Sequence, residues 1–293
     1  MWIFFTTLSA LFYAASNISD KILLGKIKQP HSINILGSFM IGPIALAIAL
    51  FRPITLNLTE MFMALTVGVL GYLAVTAYLG AIRREEVSRV VPLWAGIDLL
   101  APILAFFFLH EPITTPIAIA MILIIVGGML IESDFKKGLI TRKPAVLIFM
   151  FFASLAWAIA LILSRVFLGT LDALTLWVWS AFGATCMGFV QFIFLKKEVI
   201  HDLKERMTLP GTAISTGTEA LGVIARFAAL ALFAVAPVQF VGDSFYVFVF
   251  VGALVLARWF PQLKEKNDRF SVATKIIATV LIIIGTSLAA ASG

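Results

Sequence analysis

Apolar residues in this chain neither alternate nor form a one-sided helical stripe; they come in continuous runs separated by short polar connections. Ten runs fall near residues 2–24, 33–51, 61–82, 89–109, 115–131, 145–168, 173–195, 211–233, 238–257 and 271–291. Each is roughly 17 to 24 residues long, the length a helix rising about 1.5 Å per residue needs to cross about 30 Å of hydrocarbon. The pattern predicts an all-α integral membrane protein with ten transmembrane helices. A membrane β-barrel is excluded, because its strands alternate over about ten residues. The first run has no basic leader and no small-residue cleavage site, and it ends in the polar stretch Ser16-Asn17-Ile18-Ser19-Asp20-Lys21, so it reads as a retained helix.

Composition fits that solvent. Of 293 residues, 61% are hydrophobic and 13% charged, against about 25% charged in a soluble domain. The connections leave no room for a soluble catalytic or nucleic-acid-binding domain. The single cysteine, Cys186, lies inside the seventh run, which rules out an intrachain disulfide, and His31, His110 and His201 have no metal-ligand spacing.

The net charge of +6 is a matter of orientation. In the loops after runs 1, 3, 5, 7 and 9, together with Lys21, Arg89 and Lys275 at the adjoining run ends, Lys and Arg number 3, 3, 4, 4 and 5, which is 19 of 22. The remaining three are Arg52, Arg165 and Arg226. Basic residues gather on the cytoplasmic side of membrane proteins. The odd-numbered loops are therefore expected in the cytoplasm and both termini outside, in a prokaryotic plasma membrane, with lipid rather than nucleic acid as the partner.

The halves resemble each other. Tyr13 through Lys21-Ile22-Leu23-Leu24-Gly25 aligns with Trp157 through Arg165-Val166-Phe167-Leu168-Gly169, and Tyr78 to Pro112 aligns with Ala228 to Pro261. Gly127-Gly128 in run 5 matches Gly285 in run 10. Matching loops exchange their charge. Arg83-Arg84-Glu85-Glu86 follows run 3 where the uncharged Ala234-Val235-Ala236-Pro237 follows run 8. His110-Glu111 follows run 4 where Arg258, Lys264, Lys266 and Arg269 follow run 9. An odd number of helices per unit turns the second copy over, so a 5+5 inverted repeat requires this exchange. The expected units are 1–138 and 139–293.

On these residues the chain resembles the EamA-like family of the drug/metabolite transporter superfamily, whose members carry two five-helix units. The likeness rests on the small and polar patch Ala14 to Lys21, on Glu86-Val87-Ser88-Arg89-Val90-Val91-Pro92-Leu93 opening run 4, and on the turn Leu109-His110-Glu111-Pro112. That turn resembles the family's Leu-Gly-Glu-Arg. The second copy departs from the pattern, with Trp259-Phe260-Pro261 where a Glu is expected. The resemblance implies a transporter.

A charge within hydrocarbon costs at least about 2.5 kcal/mol and calls for a partner, a cavity or a function. Four residues meet that description: Asp98, Glu219, Arg226 and Asp243. Arg226 has two readings, an ion pair with Asp243 across the hairpin at Ala234 to Pro237, or an anion-binding guanidinium exposed to a pathway. Asp98 and Glu219, at matched depth in opposite halves, are expected to face one cavity, where either carries a coupling proton or holds a cationic substrate. Hydrogen bonding to neighbouring helices is the plain alternative. Tyr13, Asn17, Tyr72, Trp94 and Trp157 are candidates for the cavity wall, whereas Trp177 and Trp179 read as interfacial anchors. Gly68, Gly71, Gly127, Gly128, Gly217 and Gly222 read as helix-packing positions. Pro43, Pro92 and Pro102 are kink candidates.

The expected function is secondary transport of a small metabolite or amphiphilic compound by alternating access, as an exporter or exchanger and as a monomer. No Walker-type loop is present, so no nucleotide hydrolysis and no cofactor is expected. The rivals are an intramembrane enzyme with Asp98 and Asp243 as a carboxylate dyad, and a channel or receptor.

Overall fold

The computed structural model describes residues 1–51, 58–85, 90–132, 143–260 and 269–292. Arg52, the stretch 86–89, Lys136, Lys137, Arg142, Pro261, Lys264, Lys266 and the expected unit boundary at 138/139 lie outside the described residues. The described chain is all helical. It forms α1 (Trp2–Leu24), α2 (His31–Phe51), α3 (Leu58–Ile82), a 3-10 helix (Val91–Ala95) that leads into α4 (Gly96–Leu109), α5 (Thr115–Glu132), α6 (Pro144–Phe167), α7 (Ala173–Asp202), α8 (Thr208–Leu232), α9 (Val235–Gly242), α10 (Phe245–Leu256) and α11 (Arg269–Ala291).

These make ten helical passages, two of them interrupted. Eight are long and apolar enough to span a membrane. Helix α1 has the length, 23 residues, but the stretch Ser16 to Lys21 makes it more polar. The apolar part of α5, Thr115–Leu130, is shorter than the eight. Large apolar side chains such as Phe107, Phe108, Phe152, Ile193 and Phe194 point outward, while many of the buried positions are small, among them Ser9, Ala10, Ala14, Ala101, Ala158, Ser180 and Ala181. That inside-out arrangement is expected where lipid is as apolar as leucine and close helix approach supplies the packing energy.

The fourth and ninth runs differ from the continuous helices expected of them. In the fourth, a 3-10 segment with Pro92 in its first turn, Val91–Ala95, precedes the α-helix that starts at Gly96. The ninth starts earlier, at Val235, and breaks at Asp243-Ser244. Broken backbone at membrane depth must still satisfy its polar groups. Here the Gly96 N–H donates to Leu93 and Trp94 carbonyls, Ser244 N–H to Val241 O at 3.2 Å, and Tyr246 N–H to Asp243 O at 3.1 Å. Helix α7 runs past the expected end at 195 to Asp202, with a kink at Leu195 (φ −115°, ψ 19°) where its apolar stretch gives way to Lys196-Lys197-Glu198.

Helix α1 packs on α8 and on α9–α10, and α6 packs on α3 and α4; α3 also packs on α7, and α2 on both α7 and α8. Helix α5 pairs with α11. At the α3–α7 crossing Gly68 lies against the Ser180 carbonyl and Gly183 against the Leu65 carbonyl, with no space for a Cβ on either glycine.

Cross-chain contacts define two faces. On one, which carries the basic loops, Asp202 ends α7 and holds the entry to α2, accepting from Lys28 N (3.2 Å), Gln29 N (3.1 Å) and Ser32 Oγ (2.7 Å). On the same face the Lys143 ammonium at the start of α6 donates to Arg84 O (2.8 Å) and pairs with Glu85 (3.4 Å). On the opposite face the Trp2 ring at the start of α1 stacks on Phe233 after α8, with centroids 4.5 Å apart.

Candidate functional site

A cavity of about 640 Å³ lies between the halves. It reaches the basic face beside Lys21, Gly25, Tyr78 and Lys275, and it ends near mid-membrane at Asp98, Arg226 and Asp243. Between α6 and α7 it goes deeper, to Ser164 and Trp177. Beyond it, buried Leu230, Val235, Leu168 and Leu176 belong to one apolar cluster toward the opposite face.

All nine residues singled out from the sequence line this cavity: Asp98, Glu219, Arg226, Asp243, Tyr13, Asn17, Tyr72, Trp94 and Trp157. Trp94 stacks on Tyr78 (5.1 Å) and meets Trp157 edge-on (6.3 Å), so three aromatic rings form one wall. Tyr72 Oη donates to Gln191 Oε1 at 2.5 Å. Asn17 is exposed and donates to the Tyr13 carbonyl at 3.1 Å. Trp177 differs from its expected place at the interface: it is 4% exposed and lines the cavity. Of the six glycines, Gly217 has nothing near it and Gly71 only the Trp157 ring at 4.0 Å, so these two do not mark tight helix contacts.

The four charges separate into two environments. Asp98 and Asp243 are each 2% exposed and Arg226 7%. The expected Arg226–Asp243 ion pair does not form; Gln239 stands between them. Arg226 Nη1 donates to Gln239 Oε1 (2.9 Å), and Gln239 Nε2 donates to Asp98 Oδ1 (2.9 Å) and Asp243 Oδ1 (3.1 Å). Both carboxyls therefore meet at one amide nitrogen. Asp243 Oδ2 and Arg226 Nε are buried without a partner. The guanidinium lies 5.0 Å from the Tyr13 ring centroid, and Gly242 gives it room, since a Cβ there would come within 2.9 Å of Arg226 Nη2. Asp98 comes from the first turn after the break in the fourth passage, Asp243 from the break in the ninth.

Glu219 is different. It is half-buried, faces the cavity, and makes no hydrogen bond or ion pair with the described residues. One turn before it, Ser215 Oγ donates to Asp20 Oδ1 (2.6 Å) and meets Ser16 Oγ (3.1 Å).

Sequence reasoning passed over Gln239. Its signal was a polar residue four positions before Asp243 in an apolar run, a spacing that shares one helix face. Glu111 was also passed over, because its counterpart in the second half is not acidic. It accepts the Val235 backbone N–H at 2.8 Å on the face opposite the basic loops, and Arg165 Nε is 3.9 Å away. Arg165 Nη1 in turn donates to Leu230 O at 2.8 Å. Burial pushes the Glu111 carboxyl above its ordinary range, against the opposite pull of the Val235 N–H and of Arg165. This clasp ties the end of α4 to α6, α8 and the start of α9.

Residues 1–133 match the EamA-like transporter family, part of the drug/metabolite transporter superfamily. No curated protein matches the chain in sequence. A solved structure titled only "Crystal structure of protein" shares the fold at 12% identity, with a TM-score of 0.70, over 99% of this chain and 96% of that one.

Proposed function

We propose that this multi-pass membrane protein, an EamA-like transporter over residues 1–133, is a secondary carrier that moves a small metabolite or amphiphilic compound by alternating access, as an exporter or exchanger acting as a monomer. The observation that carries the reading is the cavity itself. It is enclosed by both halves, reaches one face, is sealed from the other, and holds the charged residues of the membrane interior. A channel has no need of such a seal. Family members are transporters rather than enzymes.

The two units, 1–138 and 139–293, are related by a two-fold axis in the membrane plane. The helix pairings support this. Exchanging α1 with α6, α2 with α7, α3 with α8, the fourth passage with the ninth, and α5 with α11 turns each principal contact into another. The α1–α8 contact becomes α6–α3, α3–α7 becomes α8–α2, and α4–α6 becomes α10–α1, while α2–α7 and α5–α11 map onto themselves. The matched breaks in the fourth and ninth passages support it as well.

In this reading Glu219 holds a cationic group of the substrate against the aromatic wall, and Asp98, Arg226 and Asp243 form the coupling site. The basic face is cytoplasmic and both termini lie outside. Saturable counterflow in proteoliposomes, with compounds chosen by a thermal-shift screen of amino acids, sugars, nucleotides and organic cations, tests the carrier. Uptake that never saturates and shows no exchange speaks for a channel. An impermeant thiol reagent should fail to label Lys204→Cys in intact cells on a Cys186→Ser background; labelling there reverses the orientation.

A further inference from the structure

Resting on the carrier reading, we infer that the coupling proton is held between Asp98 and Asp243, with Gln239 as the residue that positions the pair. The argument begins with charge. Two carboxylates stand beside one guanidinium, all nearly closed to solvent, and a single proton between them makes the group neutral. A buried carboxylate oxygen without a donor is costly, and Asp243 Oδ2 is one. Gln239 Nε2 occupies Oδ1 of both residues and so holds the two carboxyls together, which leaves Asp243 Oδ2 as the oxygen that a proton would relieve.

The other groups facing the pair do not take this role. From α8 come Arg226, which is committed to Gln239, and Glu219, which remains in the open part of the cavity. From α1 comes Tyr13, under the guanidinium. Helix α6, packed on α4, presents Ser154 and Trp157, which carry no charge. Lys275 of α11 lies at the cavity mouth.

The location gives the proton its coupling function. Asp98 belongs to the broken passage of the first half and Gln239 and Asp243 to that of the second, so the proton sits on the seam that must part when the sealed face opens. Without it, two carboxylates confront each other across that seam and favour separation. A ligand shifts a conformational equilibrium only by binding the two states unequally. The seam provides that inequality for a proton.

Infrared difference spectroscopy of the lipid-reconstituted protein between acid and alkaline buffers, with no substrate present, reads protonated carboxyls directly. Among the titrating carboxyl bands, one is expected to be lost in both Asp98→Asn and Asp243→Asn and retained in Glu219→Gln. Gln239→Leu, which removes an uncharged donor, is expected to keep the band and change its proton affinity about tenfold, the effect of one hydrogen bond to a charged group. Joining cysteines at Glu111 and Val235 with a short bis-thiol cross-linker, on the Cys186→Ser background, holds the opposite face shut; the band should then titrate at a different midpoint from the uncross-linked protein. A band that survives both Asp variants, or that vanishes only in Glu219→Gln, overturns the assignment. If the Asn variants do not fold, a band indifferent to Gln239→Leu overturns it. A midpoint unmoved by the cross-link makes the proton structural and defeats its coupling role. None of these readings depends on counterflow, so the carrier reading can fail while the proton site stands, and the reverse.

Discussion

Arg226 and Asp243 sit at similar depth on neighbouring passages, and depth alone gave them to each other. The intervening amide changes the chemistry. Gln239 presents its oxygen to the cation and its nitrogen to two anions, so one side chain relays between groups that a direct ion pair would have taken out of play. Arg226→Lys tests the relay, since an ammonium keeps the charge but lacks the planar fork. It should lower thermal stability by about 1–3 kcal/mol, the cost of disturbing a buried hydrogen bond to a charged group. Glu219→Gln should behave oppositely. Its carboxylate has no hydrogen-bond or ion-pair partner to lose among the described residues, so unfolding should shift by no more than about 0.5 kcal/mol. The affinity of a cationic substrate, measured by thermal shift or counterflow, should fall at least tenfold, because a desolvated charge loses its counter-ion. A large stability loss with unchanged affinity would return Glu219 to a structural role.

Ten passages were legible at the scale of elements because length and apolarity are set by the bilayer, not by tertiary contacts. The breaks were not. A short interruption leaves the length of an apolar run untouched, and neither Val91 to Ala95 nor Gly242-Asp243-Ser244 is long enough to end one. Pro92 and Gly96 were visible as residues, but only packing decides whether a proline kinks a helix or starts one. The same gap hid part of the site: the four charges and the five wall residues stood out from their surroundings, whereas Gln239 and Glu111 owe their importance to partners 141 and 124 positions away. Asp202 is a further case, a residue at the end of α7 that serves the start of α2. Asp202→Ala leaves two backbone N–H groups and a hydroxyl without their acceptor, and should cost about 1–2 kcal/mol, as the loss of a helix cap does. Asp202→Asn should keep part of that in a detergent melt. Equal losses in the two variants would place the effect in charge rather than in capping.

For the whole molecule, the conformation described has one face closed by Trp2–Phe233 stacking, an apolar cluster and the Glu111–Arg165 clasp, and the inverted repeat proposed above makes the opposite conformation predictable. The alignment of the halves sets Lys21 against Arg165 and Gly80 against Leu230. Arg165 now holds the Leu230 carbonyl. When the cavity turns to the other face, Lys21 should close on the end of α3 near Gly80 in the same way, while the Arg165 contact opens. A cysteine pair at Arg165 and Leu230 should therefore cross-link readily in the resting protein, and a pair at Lys21 and Gly80 only in the other state. Glu111→Gln, which weakens the Val235 contact that remains of the clasp once Arg165 is a cysteine, should raise the yield at the second and lower it at the first. With all four cysteines present, cross-linking the first pair should prevent the second. Simultaneous cross-linking of both pairs in one molecule would mean that the two faces do not alternate, and the repeat would be architecture without the motion assigned to it.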